Sequence, residues 1–363
     1  MGWKHYLFLL AVAAAVTLAL TPLVRSWSLR RGILDHGGGR KVHTGAISRL
    51  GGLAMFAGFA AAFVVEYVGE RYVGWGGGML RADGQLVGVL LGLLVIFAVG
   101  VVDDVFTLSP GVKFGGQLLA AFIVIAMGLK VEFLGNPLGG GLVDIGFLSY
   151  PITLLWILGF TNVINLIDGL DGLAAGVTAI AVTSFLVLAV QGNQLVAATL
   201  AAVLIGCCLG FLRYNFNPAS IIMGDSGALF LGFALACISL LGVMKSVVAI
   251  TLVVPLLVIG VPIFDTASAI IRRARHGQPI QEADRGHIHH RLLDRGFNQR
   301  QTVVIIYVWS IGLAVGGYAM RYVPGFIKLG AFVVLGVLSA LMASWLGLFE
   351  AVHMHSDVQG YDD

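Results

Sequence analysis

Long apolar runs are the feature of this 363-residue chain that most constrains its fold. A run of about 20 apolar residues can cross the hydrocarbon core of a bilayer as one helix. Only 11% of the residues are charged and 58% are hydrophobic, whereas a soluble domain carries about 25% charged residues. The chain therefore has too little charge to cover a water-facing surface. We predict an all-α fold, a polytopic transmembrane helical bundle.

Eleven apolar runs are candidate spans. The fifth run is short and the eighth begins with polar residues, so ten or eleven spans are both consistent with the sequence. The predicted spans cover residues 4–25, 47–68, 85–102, 112–129, 150–165, 172–191, 195–212, 224–243, 247–271, 302–320 and 326–349. Three cysteines lie inside these runs, which predicts small core residues and no disulfide framework.

The basic residues set the expected orientation. Lys4 precedes the first run, while Arg25, Arg30 and Arg31 follow it, so the heavier positive charge lies after the run. Cytoplasmic loops carry an excess of Lys and Arg. We therefore expect an uncleaved first span with the N-terminus outside. This orientation places most of the 22 Lys and Arg residues, and every polar motif described below, on the cytoplasmic side.

Two adjacent carboxylates, Asp103 and Asp104, end the third run. A charged residue at membrane depth costs roughly 2.5–3.5 kcal/mol, and neighbouring carboxylates also repel each other. Lys113 follows after a Ser-Pro-Gly turn signal. Such a pair is typically retained to bind cations or to handle protons. The alternative is a helix-end pair that Lys113 merely neutralises.

A second polar cluster, NVINLIDGLDGLAAG at residues 162–176, joins the fifth and sixth runs. Asn162, Asn165 and Asp168 are spaced by three and would share one arc of a helix, and Asp171 follows. Oxygen ligands suit Mg²⁺ or nucleotide groups better than soft metals. The alternative is that these residues only cap two helix ends.

Single aspartates stand near the ends of two further runs. Asp225 lies in the segment MGDSG at the start of the eighth run, where it could be a helix cap, a ligand or both. Asp265, near the inner end of the ninth run, either faces the same cavity or pairs with a basic residue.

Two loops are basic. The loop over residues 272–301 holds seven arginines with His276, His287, His289 and His290. Because the arginines would repel a cation and no cysteine accompanies the histidines, phosphates and sugars are better ligands than zinc. The alternative is contact with anionic lipid headgroups. The first cytoplasmic loop combines Arg40, Lys41 and His43 with flexible glycines, which is a weak phosphate signal.

Taken in order, DDVFTLSPGVK, NVINLIDGLDGL, MGDSG, PIFDT and DRGHIHHRL resemble the motifs of the polyprenyl-phosphate N-acetylhexosamine-1-phosphate transferases, from about residue 40 to residue 300. The resemblance implies Mg²⁺-dependent transfer of a sugar-1-phosphate from a UDP-amino sugar to undecaprenyl phosphate, with release of UMP. This reaction starts cell-envelope glycan synthesis at the cytoplasmic face of the inner membrane. The HIHH run resembles the branch that uses UDP-N-acetylglucosamine. The first loop departs from the family, with His36 or glycine and Ser48 where prolines are common.

The resemblance also implies roles for individual residues. Asp225 and Asn165 would hold Mg²⁺, with Mn²⁺ as a substitute, and Asp103, Asp104 and Lys113 would be the catalytic group at the lipid phosphate. The substrate-binding residues would be Asn162, Asp168, Asp171, Arg285, His287, His289, His290, Arg40, Lys41 and His43. Residues 1–349 would form a single transmembrane catalytic domain, and residues 350–363 a short polar cytoplasmic tail.

Two other functions stay open on the sequence. One is a phospho-N-acetylmuramoyl-pentapeptide transferase of the same family. The other is an ion-coupled secondary transporter, since intramembrane acids and glycine-interrupted helices are also transporter features. Against a transporter, the acids gather at one membrane face and not at the midplane. Membrane lipid is an expected partner, a nucleic acid is not, and a homodimer is left open.

Overall fold

The computed structural model describes residues 2–36, 46–75, 83–135, 142–242, 256–257, 259–275, 287–322, 325–346 and 348. These residues contain twelve α-helices, two short hairpins and three short helical turns of other types, at Gly69–Val73, Gly146–Leu148 and Met320–Tyr322. The helices are α1 (Trp3–Arg31), α2 (Gly51–Val68), α3 (Gly84–Phe106), α4 (Pro110–Ala126), α5 (Ser149–Ile167), α6 (Leu173–Gln191), α7 (Leu195–Asn215), α8 (Gly224–Gly242), α9 (Gly260–Arg275), α10 (Ile288–Asp294), α11 (Gln299–Ala319) and α12 (Gly325–Trp345). Antiparallel strands β1 (Leu34–His36) and β2 (Ala46–Ser48) form one hairpin, and β3 (Phe133–Gly135) and β4 (Leu142–Asp144) form the other.

The helices confirm the predicted polytopic bundle. Eight of the described helices are long and apolar enough to cross a membrane, and two shorter apolar helices, at Pro110–Ala126 and Gly330–Trp345, accompany them. The predicted ninth span, 247–271, begins outside the described residues, and so does the predicted tail at 350–363. The orientation and the choice between ten and eleven spans stay predictions.

Helix α1 shows why its predicted end at residue 25 was too early. The helix continues to Arg31 and ends at Gly32, whose φ of 69° is in the left-handed region. There the N–H groups of Gly32 and Ile33 donate to the carbonyls of Leu29 and Ser28, an arrangement that satisfies the last carbonyls of a helix. The apolar run stops earlier than the helix because the last turns carry arginines, which complement the negative end of the helix dipole.

Helix α8 occupies the centre of the bundle, and its side chains from Ser226 onward are all buried. Helices α2, α3, α5 and α7 pack around it. The approach to α3 and α5 is close because both contacts involve glycine: a Cβ on Gly100 would lie 2.4 Å from Ser226 Cα, and one on Gly232 would lie 2.7 Å from Thr161 Cα. Small residues permit such backbone contact in membrane helices. All three cysteines are free and buried, as predicted.

The loop at residues 216–223, between α7 and α8, joins many helix ends. We call this the motif end of the bundle, where α3, α5 and α7 end and α4, α6, α8 and α11 begin. The loop binds the end of α1, the start of α2 and the start of α11 through three hydrogen bonds: Arg25 Nε to Ser220 O at 3.0 Å, Gly51 N to Ile222 O at 3.0 Å and Arg300 Nε to Asn217 O at 2.9 Å.

Candidate active site

One ammonium group shared by two carboxylates lies at the motif end. Lys113 Nζ is 2.9 Å from Asp103 Oδ2 and 2.7 Å from Asp225 Oδ1. Asp103 belongs to the last turn of α3, Lys113 to the first turn of α4, and Asp225 to the first turn of α8. The structure therefore brings together residues from two separate predicted motifs.

The turn between α3 and α4 explains how Lys113 reaches Asp103. Thr107 follows α3 with a left-handed φ of 53°, and Asp103 Oδ1 accepts a hydrogen bond of 2.7 Å from the Leu108 N–H. Pro110 then starts α4, a position that suits its fixed φ and its missing N–H. Asp103 thus stabilises the turn with one oxygen and binds Lys113 with the other.

Asp104 contacts the start of α8 and not Lys113. Its Oδ1 accepts from Asp225 N at 2.8 Å, and its Oδ2 accepts from Ser226 N at 3.0 Å and Ser226 Oγ at 2.6 Å. The first N–H groups of a helix have no partner within the helix, and a carboxylate complements the positive end of its dipole. Asp104 is only 2% exposed. It therefore caps α8 from a neighbouring helix, so the Asp225 carboxylate is not the cap.

Gly224 makes this cap sterically feasible. Its φ is +69°, and an added Cβ would lie 2.0 Å from the Arg49 carbonyl oxygen and 2.6 Å from both Asp104 oxygens. A side chain at this position would push the Asp104 carboxylate away from the N–H groups that it binds. The glycine before Asp225 in MGDSG is thus required by the close packing of α3 on α8.

Asp225 and Asn165, the two predicted metal ligands, lie on antiparallel neighbours. Trp156 Nε1 donates to Ser239 Oγ at 2.9 Å, and Gly232 lies against Thr161. Continuing this register along α5 and α8 puts Asn165 level with the first turn of α8, where Asp225 lies. The Asp225 side chain is 32% exposed.

The donor atoms at this place are oxygens. Asn165 is half-buried, and its amide has no hydrogen-bond partner among the described residues. Across those residues, no group of three or more His, Cys, Asp or Glu side chains is placed to hold one metal ion. An ion bound here would therefore depend on few protein ligands.

Asn162 ties two helices together. It exchanges hydrogen bonds with Gln117 of α4, with Asn162 Nδ2 donating at 2.7 Å and Gln117 Nε2 donating at 3.2 Å. Its Nδ2 also donates to the Leu158 carbonyl at 2.8 Å. Because α5 ends at Ile167, Asp168 lies just beyond the helix. The predicted arc of three polar residues therefore contains only the two asparagines.

Asp171 anchors the 216–223 loop. Its Oδ2 accepts from Asn217 Nδ2 and from Ala219 N, both at 3.0 Å. Close by, Tyr307 Oη of α11 donates to the Gly172 carbonyl at 2.5 Å. These contacts place Asp171 in the framework that joins α6, α11 and the loop.

The histidine run lies at α10. His287 Nδ1 is 3.0 Å from Asp265 Oδ2, and the Ile288 N–H donates to Asp265 Oδ1 at 2.7 Å. The ring of His290 lies 4.4 Å from that of His289. His287 and Asp265, 22 positions apart, thus share a buried contact.

His289 packs against the loop that contains Asp168. A Cβ on Gly169 would lie 2.9 Å from His289 Nε2. Burial lowers the pKa of His289 to about 3; the nearby Asp265 carboxylate opposes this shift, while His290 and His287 add to it. His289 is therefore neutral at neutral pH and offers no positive charge to a phosphate.

Four predicted substrate-binding residues, Arg40, Lys41, His43 and Arg285, lie outside the described residues. Several residues with evident structural roles here were not among the predicted site residues: Gln117, Asn217, Ser226, Asp265 and Tyr307. A sequence signal existed for two of them, since Gln117 and Asp265 are polar residues inside apolar runs, a pattern that often marks functional positions in membrane helices.

Comparison with known proteins gives consistent matches. The family model described as Glycosyl transferase family 4 matches residues 86–243. A protein of Bacillus subtilis (strain 168) named "Probable undecaprenyl-phosphate N-acetylglucosaminyl 1-phosphate transferase" is 37% identical, covering 93% of this chain and 91% of its own length. The decaprenyl-phosphate N-acetylglucosaminephosphotransferase of Mycobacterium tuberculosis (strain ATCC 25618 / H37Rv) is 35% identical over 90% of this chain and 86% of its own length.

The undecaprenyl-phosphate alpha-N-acetylglucosaminyl 1-phosphate transferase of Escherichia coli (strain K12) is 29% identical, covering 83% of this chain and 81% of its own length. Relatives of this kind are phosphotransferases, which decides between enzyme and transporter in favour of the enzyme. The chain belongs to the polyprenyl-phosphate N-acetylhexosamine-1-phosphate transferase family, in its N-acetylglucosamine-1-phosphate transferase branch.

Proposed function

We propose that this chain transfers N-acetylglucosamine-1-phosphate from UDP-N-acetylglucosamine to undecaprenyl phosphate, releases UMP and thereby starts the synthesis of a cell-envelope glycan. The observation that carries the proposal is the cluster of Asp103, Lys113 and Asp225 at one end of a membrane bundle. The names of the relatives support the transferred sugar and the class of lipid acceptor, since they combine N-acetylglucosamine with undecaprenyl or decaprenyl phosphate.

The charges around Lys113 favour a divalent cation. The Asp104 carboxylate is compensated by the N–H groups of α8, whereas Asp103 and Asp225 share a single ammonium. Mg²⁺ commonly takes one or two carboxylates and completes its shell with phosphate oxygens and water. Asp225 supplies one carboxylate and Asn165 one amide oxygen. We infer that these two side chains hold Mg²⁺, or Mn²⁺ in its place. When bound, the ion would neutralise charge on the diphosphate and stabilise the UMP leaving group.

The protein side chains act chiefly by position. A phosphate monoester has a second pKa of about 6, so the lipid phosphate is already largely ionised at neutral pH and needs no strong base. Lys113 is a compact point charge that can attract this phosphate. The ion pair with Asp103 holds the Lys113 side chain in place. Phosphoryl transfer depends mostly on such positioning and on electrostatic stabilisation.

The location at one end of the bundle suits the two substrates. The lipid acceptor lies in the bilayer, while the nucleotide sugar is a soluble anion. A site at the membrane boundary can reach both, and we propose that this boundary is the cytoplasmic face of the inner membrane. A cysteine introduced at Asp294, which is exposed on α10, should react with an impermeant maleimide only after the cells are permeabilised. Labelling of intact cells would contradict this orientation.

The reaction can be tested directly with purified protein, undecaprenyl phosphate, UDP-N-acetylglucosamine and Mg²⁺. We expect equal amounts of UMP and lipid-linked sugar, loss of both with EDTA, and recovery with Mg²⁺ or Mn²⁺. No UMP from this pair, with an active control enzyme in parallel, would refute the proposal. Preferred use of a UDP-muramoyl-pentapeptide donor would refute the assigned sugar. Comparison of decaprenyl phosphate with undecaprenyl phosphate as acceptor tests the assigned lipid.

Asp225→Asn tests the metal site. Removal of one preorganised donor that stabilises charge in a transition state typically lowers kcat about 10²–10³-fold. We expect a loss of the same order in Asp225→Asn, together with a higher Mg²⁺ requirement. Asp294→Asn, the same substitution at an exposed position on α10, should leave turnover unchanged. An active Asp225→Asn with the wild-type Mg²⁺ requirement would remove Asp225 from the metal site.

A further inference from the structure

Asp265 makes a buried contact that neither Lys113 nor the proposed metal site uses. Its Oδ2 lies 3.0 Å from His287 Nδ1, and its Oδ1 accepts a 2.7 Å hydrogen bond from Ile288 N. Asp265 is 2% exposed and His287 is 8% exposed. A buried carboxylate is costly unless its oxygens have partners, and here each oxygen has a different one. The two partners are consecutive residues at the start of α10, so a single side chain fixes both the helix start and the ring beside it.

We propose that Asp265 is a positioning residue that holds His287 in the form protonated at Nδ1 and fixes the orientation of its ring. An ionised carboxylate can only accept hydrogen bonds, so the ring nitrogen that faces it must carry the proton. The bond made by one ring nitrogen sets the role of the other. Nε2 is then an acceptor in the neutral ring and a donor in the protonated ring, with a defined direction in both.

The contrast with His289 supports this assignment. The rings of His287 and His289 are nearly parallel, with an interplanar angle of 2° and centroids 5.7 Å apart. His289 is buried against Gly169, whereas His287 has the carboxylate partner. Of the two stacked rings, His287 is therefore the one that the protein prepares for a directed hydrogen bond. The partner of such a hydrogen bond would be a phosphate oxygen or a sugar hydroxyl of the nucleotide donor. This assignment rests on the proposed function.

Asp265→Asn isolates the contact with His287. Asparagine has nearly the same shape and keeps one oxygen for the Ile288 N–H, but it turns an NH₂ group toward Nδ1. A donor at that place demands an unprotonated Nδ1 and so favours the Nε2 tautomer. Asp265→Glu keeps the carboxylate and should retain the original tautomer.

Nitrogen NMR of protein labelled with ¹⁵N-histidine measures the tautomer without any turnover. His287 is assigned as the signal that disappears in His287→Gln. We expect a protonated Nδ1 in the wild type and in Asp265→Glu, and an unprotonated Nδ1 in Asp265→Asn. An unprotonated Nδ1 in the wild type, or an unchanged signal in Asp265→Asn, would overturn the proposal. Because this measurement needs no substrate, it remains decisive even if the proposed reaction fails.

Kinetics test whether Asp265 acts through His287. Partners that orient metal-ligating histidines typically contribute about 10–100-fold to activity, and we expect a loss of the same size in kcat/KM for UDP-N-acetylglucosamine in Asp265→Asn. The double variant Asp265→Asn, His287→Gln should be no worse than His287→Gln alone, because residues that act as a unit are not additive. Asp265→Glu should recover part of the activity, and Asp294→Asn should match the wild type. If the loss of kcat/KM in the double variant equals the product of the two single losses, Asp265 acts independently of His287.

Discussion

Asp104→Asn is the substitution that best separates the roles of the two adjacent aspartates. The Asp104 carboxylate accepts three hydrogen bonds from the first turn of α8. An asparagine side chain has only one oxygen, so it can keep the hydrogen bond from the Asp225 N–H or the one from the Ser226 N–H, but not both. The NH₂ group then faces the remaining N–H in a site that excludes water. Helix α8 loses its cap and the Asp225 carboxylate loses its fixed position.

The expected cost follows from these contacts. A buried donor left without a partner costs about 1–3 kcal/mol. Removing a negative charge from a helix N-terminus costs up to roughly 2 kcal/mol in a partly buried setting. We therefore expect Asp104→Asn to lower the free energy of unfolding by about 2–4 kcal/mol. Transferase activity should fall as well, because Asp225 adjoins the lost cap.

Unfolding by SDS in mixed micelles, followed by tryptophan fluorescence, can measure this difference. Asp83→Asn is the matched control, because Asp83 caps the opposite end of α3 by accepting from Gln85 N at 3.2 Å. Asparagine caps an exposed helix start about as well as aspartate, so this control should change stability by less than about 0.5 kcal/mol. If Asp104→Asn unfolds like Asp83→Asn and yet loses activity, Asp104 is a chemical participant and the capping role is wrong.

Two further predictions concern Gly224 and His289. Gly224→Ala should destabilise the protein by more than the roughly 1–2 kcal/mol of a left-handed backbone, because its Cβ would also lie 2.0 Å from the Arg49 carbonyl. Gly159→Ala adds a Cβ that meets nothing within 4 Å inside α5, and it should not destabilise the protein, because alanine is the better helix former by about 1 kcal/mol. Equal effects in the same unfolding assay would contradict the packing argument. For His289, the folded-state pKa of about 3 lies below the ordinary 6.5, so the unfolded state gains a proton first and stability should fall as the pH drops below 6.5 toward 3. His289→Gln should lose stability less steeply over that range, and parallel pH curves for the two proteins would refute a buried neutral His289.

The transmembrane helices could be predicted because their main determinant is local. An apolar run of sufficient length specifies a span whatever surrounds it, and most helices begin and end within a few residues of the predicted limits. The exceptions are the end of α1 and the start of α9, which lies at Gly260 although the predicted span began at residue 247. The short helix α10 lies in a segment that was predicted as a loop. The hairpins β1–β2 and β3–β4 were not predicted. Their strands have only three residues each, which is too short for an alternating pattern to stand out.

The site was predictable in its residue types but not in its pairings. Sequence order puts Asp103 and Asp104 side by side, and nothing local indicates which of them contacts Lys113. That choice depends on how α3 packs against α8, since Asp104 meets an N–H from a residue 121 positions away. The same limit applies to Asp265, whose partner His287 follows 22 positions later. The sequence left open whether Asp225 is a cap or a ligand, and tertiary packing supplies the cap from elsewhere.

The packing at α8 links the fold to the proposed chemistry. If Asp225 capped its own helix, its carboxylate would be occupied by backbone N–H groups. Because Asp104 supplies that cap from α3, the Asp225 carboxylate binds Lys113 and remains partly exposed. Asp104 is held in turn by the close contact of Gly100 with Ser226. The cap that Asp104 of α3 provides thus leaves the Asp225 carboxylate of α8 available for other contacts. Asp103 and Asp104, although adjacent in sequence, have different roles because one contacts Lys113 and the other contacts the start of α8.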